Sequence, residues 1–189
     1  MKKSLVFRIC VAGMLSALAF VLNNYFAIDL FEMKLTLYAL PLMICGMYFG
    51  PVTGLLCGLV TGFLCQIFSK YGLTVTAPLW MLAPIAWGSL SGLMMKLFKN
   101  DYKLWKVIVS VVVVSLIVVG LNSFAMIIDG MVFEYPTEYV LTKLGFRIIT
   151  ALVNSVIYTA LLYLVLNRLK KVVKYMNWDE FINQVRELL

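Results

Sequence analysis

The sequence predicts an all-α integral membrane protein, folded as a compact bundle of six transmembrane helices. Of its 189 residues, 63% are hydrophobic, and the mean hydropathy is +0.97. A soluble domain cannot bury that much apolar surface. The chain also contains five long runs without a charged residue, at positions 9–28, 35–69, 71–95, 107–128 and 148–167.

The length of each run indicates how many helices it forms. Four runs contain 20 to 25 residues, enough for one helix to cross the bilayer. The run 35–69 has 35 residues, which is too long for a single span. Gly50 and Pro51 lie near its middle, in "YFGPVTG", and proline together with the residue before it disfavours continued helix. We therefore expect two rather short helices, 35–49 and 52–69, joined by a tight turn.

The distribution of charge predicts the orientation of the chain. Six spans put both termini on one side, and an internal N-terminus places twelve cations inside and four outside, in agreement with the positive-inside rule. The net charge of +7 therefore reflects topology and not nucleic-acid binding. The inner cations are Lys2, Lys3, Arg8, Lys96, Lys99, Lys103, Lys106, Arg168, Lys170, Lys171, Lys174 and Arg186, and the outer ones are Lys34, Lys70, Lys143 and Arg147.

The last residues, 176–189, are expected to form a separate amphipathic helix after a transmembrane domain of residues 1–175. Asn177 can cap this helix, with Glu180 three residues later as its capping-box partner. Such a helix would lie on the inner membrane surface or against a partner protein, and a frayed tail is the alternative. Its apolar face would consist of Trp178, Phe181, Ile182, Val185 and Leu189.

Several absences weigh against an enzyme or a self-powered pump. The chain has no histidine, the commonest general base and transition-metal ligand, so we expect neither a metal nor another cofactor. Its four cysteines all lie in apolar runs without a CxxC pair, and we interpret them as small hydrophobic residues. No phosphate-binding loop is present, and no acidic residue lies inside an apolar run.

The first helix contains small residues at a spacing of four, in "CVAGMLSALAF". Ala12 pairs with Ser16 in this way, and Gly13 pairs with Ala17. Small residues at this spacing allow a second helix to approach closely. The spacing alone favours packing inside the same bundle over contact with a partner protein.

Polar and aromatic residues concentrate at the predicted outer ends of the helices. Each aromatic residue alone would be an ordinary interfacial residue. Together the group can line a loop-covered pocket that holds a flat or polar organic molecule by stacking and a few hydrogen bonds. The candidate residues are Asn23, Asn24, Tyr25, Tyr71, Thr74, Trp80, Asn122 and Asp129.

The stretch "LTKLGFRIITALVN" brings two cations to the start of the last span. Lys143 and Arg147 share a helical face, with Asn154 on about the same face and Thr150 nearby. This row suits a carboxylate, because arginine offers a bidentate fork and lysine a point charge. The rise of about 1.5 Å per residue puts Arg147 roughly 31 Å from Arg168, near the outer boundary of the hydrocarbon. Snorkelling to the interface, or pairing with an outer acid, is therefore the alternative.

Taken together, these features resemble the substrate-binding S component of an energy-coupling factor (ECF) vitamin transporter. The resemblance rests on "KKSLVFRICVAGMLSALAFVLN", "MKLTLYALPLMICGMYFGPVTGLLCGLVTGFL", "NSFAMIIDG" and the cation-capped last helix. Within the family, the chain is most similar to the folate and pantothenate group. The resemblance implies a vitamin bound near the extracellular face of a six-helix bundle in the bacterial cytoplasmic membrane, under the loops between helices 1 and 2 and between helices 3 and 4.

The resemblance also implies partners. The small residues of helix 1, Ala12, Gly13, Ser16 and Ala17, would dock on a membrane coupling protein that carries two ATPases. In the family's small-residue motif both positions are usually alanine, and here serine or glycine takes one of them. Folate is the expected vitamin, with pantothenate, riboflavin, a queuosine precursor or a pyridine vitamin as alternatives. From other classes, a membrane scaffold without a ligand and a membrane-embedded enzyme remain, although no catalytic constellation is found for the latter.

Overall fold

The structure, a computed structural model, describes residues 2–30, 33–69 and 72–175. These residues form six α-helices and one two-stranded antiparallel hairpin, so the predicted six-helix bundle is confirmed. The elements are α1 (Lys2–Asn24), β1 (Ile28–Leu30), β2 (Met33–Leu35), α2 (Ala39–Phe49), α3 (Pro51–Ile67), α4 (Ala77–Leu97), α5 (Leu104–Val132) and α6 (Thr137–Tyr175).

Four of these helices contain a segment long and apolar enough to cross a membrane, and α2 and α3 are shorter. The short pair arises as predicted at Gly50 and Pro51. Gly50 has a φ of +99°, a conformation that glycine adopts without steric cost, and Pro51 is the first residue of α3. The four longer segments are Val6–Asn24, Ala77–Leu97, Leu104–Val132 and Gly145–Leu166.

The helix boundaries differ from the charge-free runs. Helix α6 begins at Thr137 instead of 148, because a charge limits a lipid-compatible stretch but does not end a helix. Helix α4 begins at Ala77 instead of 71, where Pro78 occupies its first turn. The hairpin before α2 was not predicted, and it pairs Ile28 with Leu35. The predicted C-terminal helix lies outside the described residues.

Helices α2, α3 and α4 form a closely packed layer through glycine. A Cβ atom added at Gly46, Gly54 or Gly58 would overlap the backbone of α4, and one added at Gly88 would overlap the backbone of α3. Without side chains at these positions, the helix backbones come into direct contact. Helix α1 packs on α3, α5 packs on α4, and α6 packs on α5. A space remains between α1, α3, α4, α5, α6 and the segment that precedes α2.

Candidate functional site

A cavity of about 460 Å³ lies inside the bundle, and its wall is formed by α1, α3, α4, α5 and α6 together with the segment that precedes α2. This volume falls in the range of about 300–1,000 Å³ that is typical of small-molecule sites. The end of α1, the start of α4, the end of α5 and the start of α6 meet here. The lining residues are Asn23, Thr36, Tyr38, Gly62, Cys65, Gln66, Trp80, Ala83, Pro84, Trp87, Ser115, Val118, Val119, Asn122, Arg147, Thr150, Ala151, Asn154 and Tyr158.

Arg147 is the one charged residue among these lining residues. Its guanidinium carbon lies 5.2 Å from the centroid of the Trp80 ring, which is a cation–π contact. Its Nη1 also donates a hydrogen bond to the backbone carbonyl of Asn122. The arginine is thus held in the cavity wall by α4 and α5, with further guanidinium donors available for an anionic group.

Trp80 is itself held by an acid. Its indole Nε1 donates a hydrogen bond of 3.0 Å to Oδ2 of Asp129 on α5. This bond fixes the plane of the ring, so that its face meets Arg147 while its edge meets Asp129. The other carboxylate oxygen of Asp129, Oδ1, is buried and has no hydrogen-bond partner among the described residues.

The deeper part of the cavity is lined by aromatic side chains that each carry a polar N–H or O–H group. Trp87 and Tyr158 pack edge to face, with ring centroids 5.6 Å apart and planes at 89°. The Tyr158 hydroxyl donates to the backbone carbonyl of Thr36, which ties α6 to the segment between the hairpin and α2. Tyr38, the residue preceding α2, also lines the cavity, and its phenol hydroxyl can serve as a donor or an acceptor.

The structure brings together six of the residues singled out in the sequence. Asn154 lines the deeper wall, while Asp129 lies behind Trp80 and outside the lining. Thr74 and Tyr25 do not line the cavity: the hydroxyl of Thr74 lies 3.1 Å from that of Thr76, and Tyr25 is 77% exposed. The six residues from the sequence analysis that line the cavity are Asn23, Trp80, Asn122, Arg147, Thr150 and Asn154.

Three further predicted residues are not found among the described residues that line the cavity. Asn24 accepts a hydrogen bond of 3.4 Å from the side chain of Asn23 and does not line the cavity. Lys143 belongs to α6, but its side chain lies outside what the structure describes. Tyr71 falls in the undescribed segment 70–71. The ligand-binding roles of these residues stay predictions.

Sequence reasoning missed the deeper wall, including Thr36, Tyr38, Trp87 and Tyr158. Trp87 and Tyr158 lie inside charge-free runs, where aromatic residues look like ordinary core or lipid-facing residues. A signal was available, because the polar atoms of Tyr and Trp need hydrogen-bond partners when they are buried in hydrocarbon. Periodicity alone does not tell which of these aromatic residues point inward.

The small residues of α1 divide between two faces. Ala12 and Ser16 are buried, and the Ser16 hydroxyl lies within hydrogen-bonding distance of the carbonyl oxygens of Ala12 and Cys57. This pair therefore packs on α3 within the bundle. Gly13 and Ala17 are exposed, and a Cβ atom added at Gly13 would meet nothing within 4 Å. Of these four residues, Gly13 and Ala17 are therefore the two that remain open to another protein.

The side chains that line the cavity are suited to binding a small organic molecule. The described residues include no group of His, Cys, Asp and Glu that could hold a metal ion. The cavity instead offers aromatic faces, amide and hydroxyl groups, and a single guanidinium. These groups fit a planar organic molecule that carries an anionic group.

Comparisons with known proteins agree with this description. No curated protein matches the chain. A solved structure described as "Structure and mechanism of the S component of a bacterial ECF transporter" is similar, with a TM-score of 0.58 and 25% sequence identity over 86% of this chain and 97% of that one. The family model "ECF transporter, substrate-specific component" matches residues 7–169. The chain therefore belongs to the substrate-specific S components of ECF transporters, which are membrane transporter subunits and not enzymes.

Proposed function

We propose that this S component captures a water-soluble vitamin bearing a carboxylate, at the extracellular side of the bacterial cytoplasmic membrane. The observation that carries the proposal is the position of Arg147, the single charge in the wall of a 460 Å³ cavity, between the Trp80 face and the Asn122 carbonyl. A guanidinium that is partly desolvated by an aromatic ring binds an anion more strongly than one in water.

Folate is the first vitamin to test. Its pterin ring is planar and carries several donors and acceptors, which suits the wall formed by Tyr38, Trp87 and Tyr158. Its glutamate carboxylates suit Arg147. Pantothenate also carries a carboxylate but has no ring to stack. Riboflavin, a queuosine precursor and a pyridine vitamin without a carboxylate would depend more on the aromatic wall than on the arginine.

We further propose that the energy for transport comes from partner proteins. The coupling protein with its two ATPases would dock on the face of α1 that contains Gly13 and Ala17. Exposed apolar side chains flank these two residues, with Met14 at 73% and Leu18 at 49% exposure. In this orientation both termini lie inside, and the cavity lies toward the outside.

The decisive experiment is to identify the ligand that the protein carries. The chain is purified in detergent without added vitamin, denatured, and the released small molecules are identified by mass spectrometry. We expect a vitamin in near-stoichiometric amount, and a matching rise in melting temperature when the same vitamin is added to ligand-free protein. Release of no small molecule, together with no thermal shift from a panel of vitamins, would contradict the proposal. That outcome would favour a scaffold role.

A further inference from the structure

Two opposite charges flank the indole ring of Trp80: Asp129 lies at its edge, and Arg147 lies over its face. Asp129 Oδ2 accepts the Trp80 Nε1 hydrogen at 3.0 Å, and the Arg147 guanidinium carbon lies 5.2 Å from the ring centroid. Asp129 does not line the cavity, whereas Trp80 and Arg147 do. A ligand in the cavity therefore meets the arginine directly and meets the carboxylate only through its electric field.

Asp129 forms no direct ion pair within the described residues. One oxygen is bonded to a neutral donor, and Oδ1 is buried with no hydrogen-bond partner among the described residues. The ion pairs formed within the described part of the chain involve Asp101 and not Asp129. The residue also occupies the last turn of α5, where the helix dipole disfavours an anion.

Arg147 is the cation that lies closest to this carboxylate in the described site, on the face of the ring whose edge Asp129 binds. The guanidinium is half-buried, and its direct partners, an indole face and a backbone carbonyl, carry no net charge. A nearby anion therefore stabilises the arginine when the cavity is empty. The same anion repels a carboxylate that binds to the arginine, since Coulomb interactions at this range act on both groups.

We propose that Asp129 is the counter-charge of Arg147, and that it lowers the affinity of the cavity for anionic ligands instead of contributing to ligand binding. The inference rests on the proposed function, because it takes the ligand's anionic group to bind at Arg147. Both effects follow from the position of Asp129 beside Arg147. In the empty protein, the Asp129 carboxylate stabilises the half-buried guanidinium. In the loaded protein, it repels the bound anion and so favours release of the ligand once transport is complete.

The first test uses Asp129→Asn, which removes the charge while an amide oxygen can still accept the Trp80 hydrogen. Folate, pantothenate and riboflavin are titrated calorimetrically into ligand-free protein in detergent. We expect the carboxylate-bearing vitamin that binds the wild type to bind Asp129→Asn about tenfold more tightly, through loss of repulsion. Weaker binding to this variant would overturn the inference, because it would mean that the carboxylate contacts the ligand. Glu134→Gln, an equal charge change at an exposed position, is the matched control and should leave affinity unchanged.

The second test needs no ligand. Melting temperatures are measured for the empty wild type, Asp129→Asn, Arg147→Gln and the double variant. We expect Asp129→Asn to lower the melting temperature by about 2–4 °C in the wild-type background. In the Arg147→Gln background the loss should be much smaller, because the cation is gone. Equal losses in both backgrounds would contradict the counter-charge role.

The two tests separate this inference from the proposed function. If no vitamin binds the wild type, the proposed function fails, and the melting-temperature comparison still decides whether Asp129 and Arg147 are coupled. If a carboxylate-bearing vitamin binds the wild type but Asp129→Asn does not increase its affinity, the proposed function stands and the inference fails.

Discussion

Gly54 on α3 and Gly88 on α4 touch through their backbones, so that a Cβ atom at either position would overlap the carbonyl oxygen of the other. Because two rigid helix backbones form this contact, neither can move aside for a single methyl group. The α3–α4 interface therefore does not tolerate larger residues at these two positions.

We expect Gly88→Ala to destabilise the protein by at least about 1–3 kcal/mol, the usual cost of overpacking. The measurement is thermal unfolding in detergent. Gly120 on α5 is the matched control, since a Cβ atom there would meet nothing within 4 Å. Gly120→Ala should be neutral or stabilising by up to about 1 kcal/mol, because alanine favours helix over glycine. Equal melting temperatures for the two variants would contradict the close backbone contact.

Arg147→Ala should weaken binding of folate or pantothenate, whichever binds, by about ten- to a hundredfold. The reason is that hydrogen bonds to charged groups contribute about 1.5–3 kcal/mol. Arg168→Ala, an identical change at an exposed position far along α6, is the control and should not alter the dissociation constant. If Arg147→Ala binds a carboxylate-bearing vitamin as tightly as the wild type, the arginine serves only the membrane interface.

Tyr158→Phe removes the hydroxyl that holds the Thr36 carbonyl while keeping the ring that packs on Trp87. We expect faster amide hydrogen exchange around residues 36–38 and a loss of about 1 kcal/mol in stability, the typical net value of one hydrogen bond. Tyr163→Phe is the control, because the structure shows no hydrogen bond from this hydroxyl among the described residues. Unchanged exchange in Tyr158→Phe would show that other contacts hold the segment.

Gly13→Leu should prevent co-purification with the coupling protein while ligand binding is retained, because Gly13 faces outward from the bundle. Gly120→Leu makes the same change on an exposed position of α5 and should leave the complex intact. Normal assembly of the Gly13→Leu variant would exclude this face of α1 as the docking surface.

The predicted orientation can be tested by thiol labelling in intact cells. In a chain whose four cysteines are replaced, Glu134→Cys should react with a membrane-impermeant maleimide, and Lys99→Cys should react only after the cells are lysed. Both residues are exposed, in the turns that follow α5 and α4. Labelling of Lys99→Cys in intact cells would invert the topology and place the cavity on the inner side.

The candidate site was predictable where polarity interrupts an apolar run. Arg147, Asn154 and Asn122 attract notice because such groups are costly in lipid, and the structure places all three on the cavity wall. The polar atoms of Trp87 and Tyr158 indicated a need for hydrogen-bond partners, but the inward direction of these side chains was not predictable, because their apolar bodies suit the core and the lipid equally well. The hairpin before α2 was also missed, since its strands contain only three residues each.

The sequence by itself determined the membrane class, the six helices and the break at Gly50 and Pro51. These are local properties, because hydropathy and backbone restriction act over one helix length or less. The tertiary structure alone decided how each helix is rotated about its axis and which residues distant in sequence meet. It turned Ala12 and Ser16 inward, and it brought Trp80, Asp129 and Arg147 from three helices onto one indole ring. Such convergence depends on the packing of all six helices at once, which no single run of residues encodes.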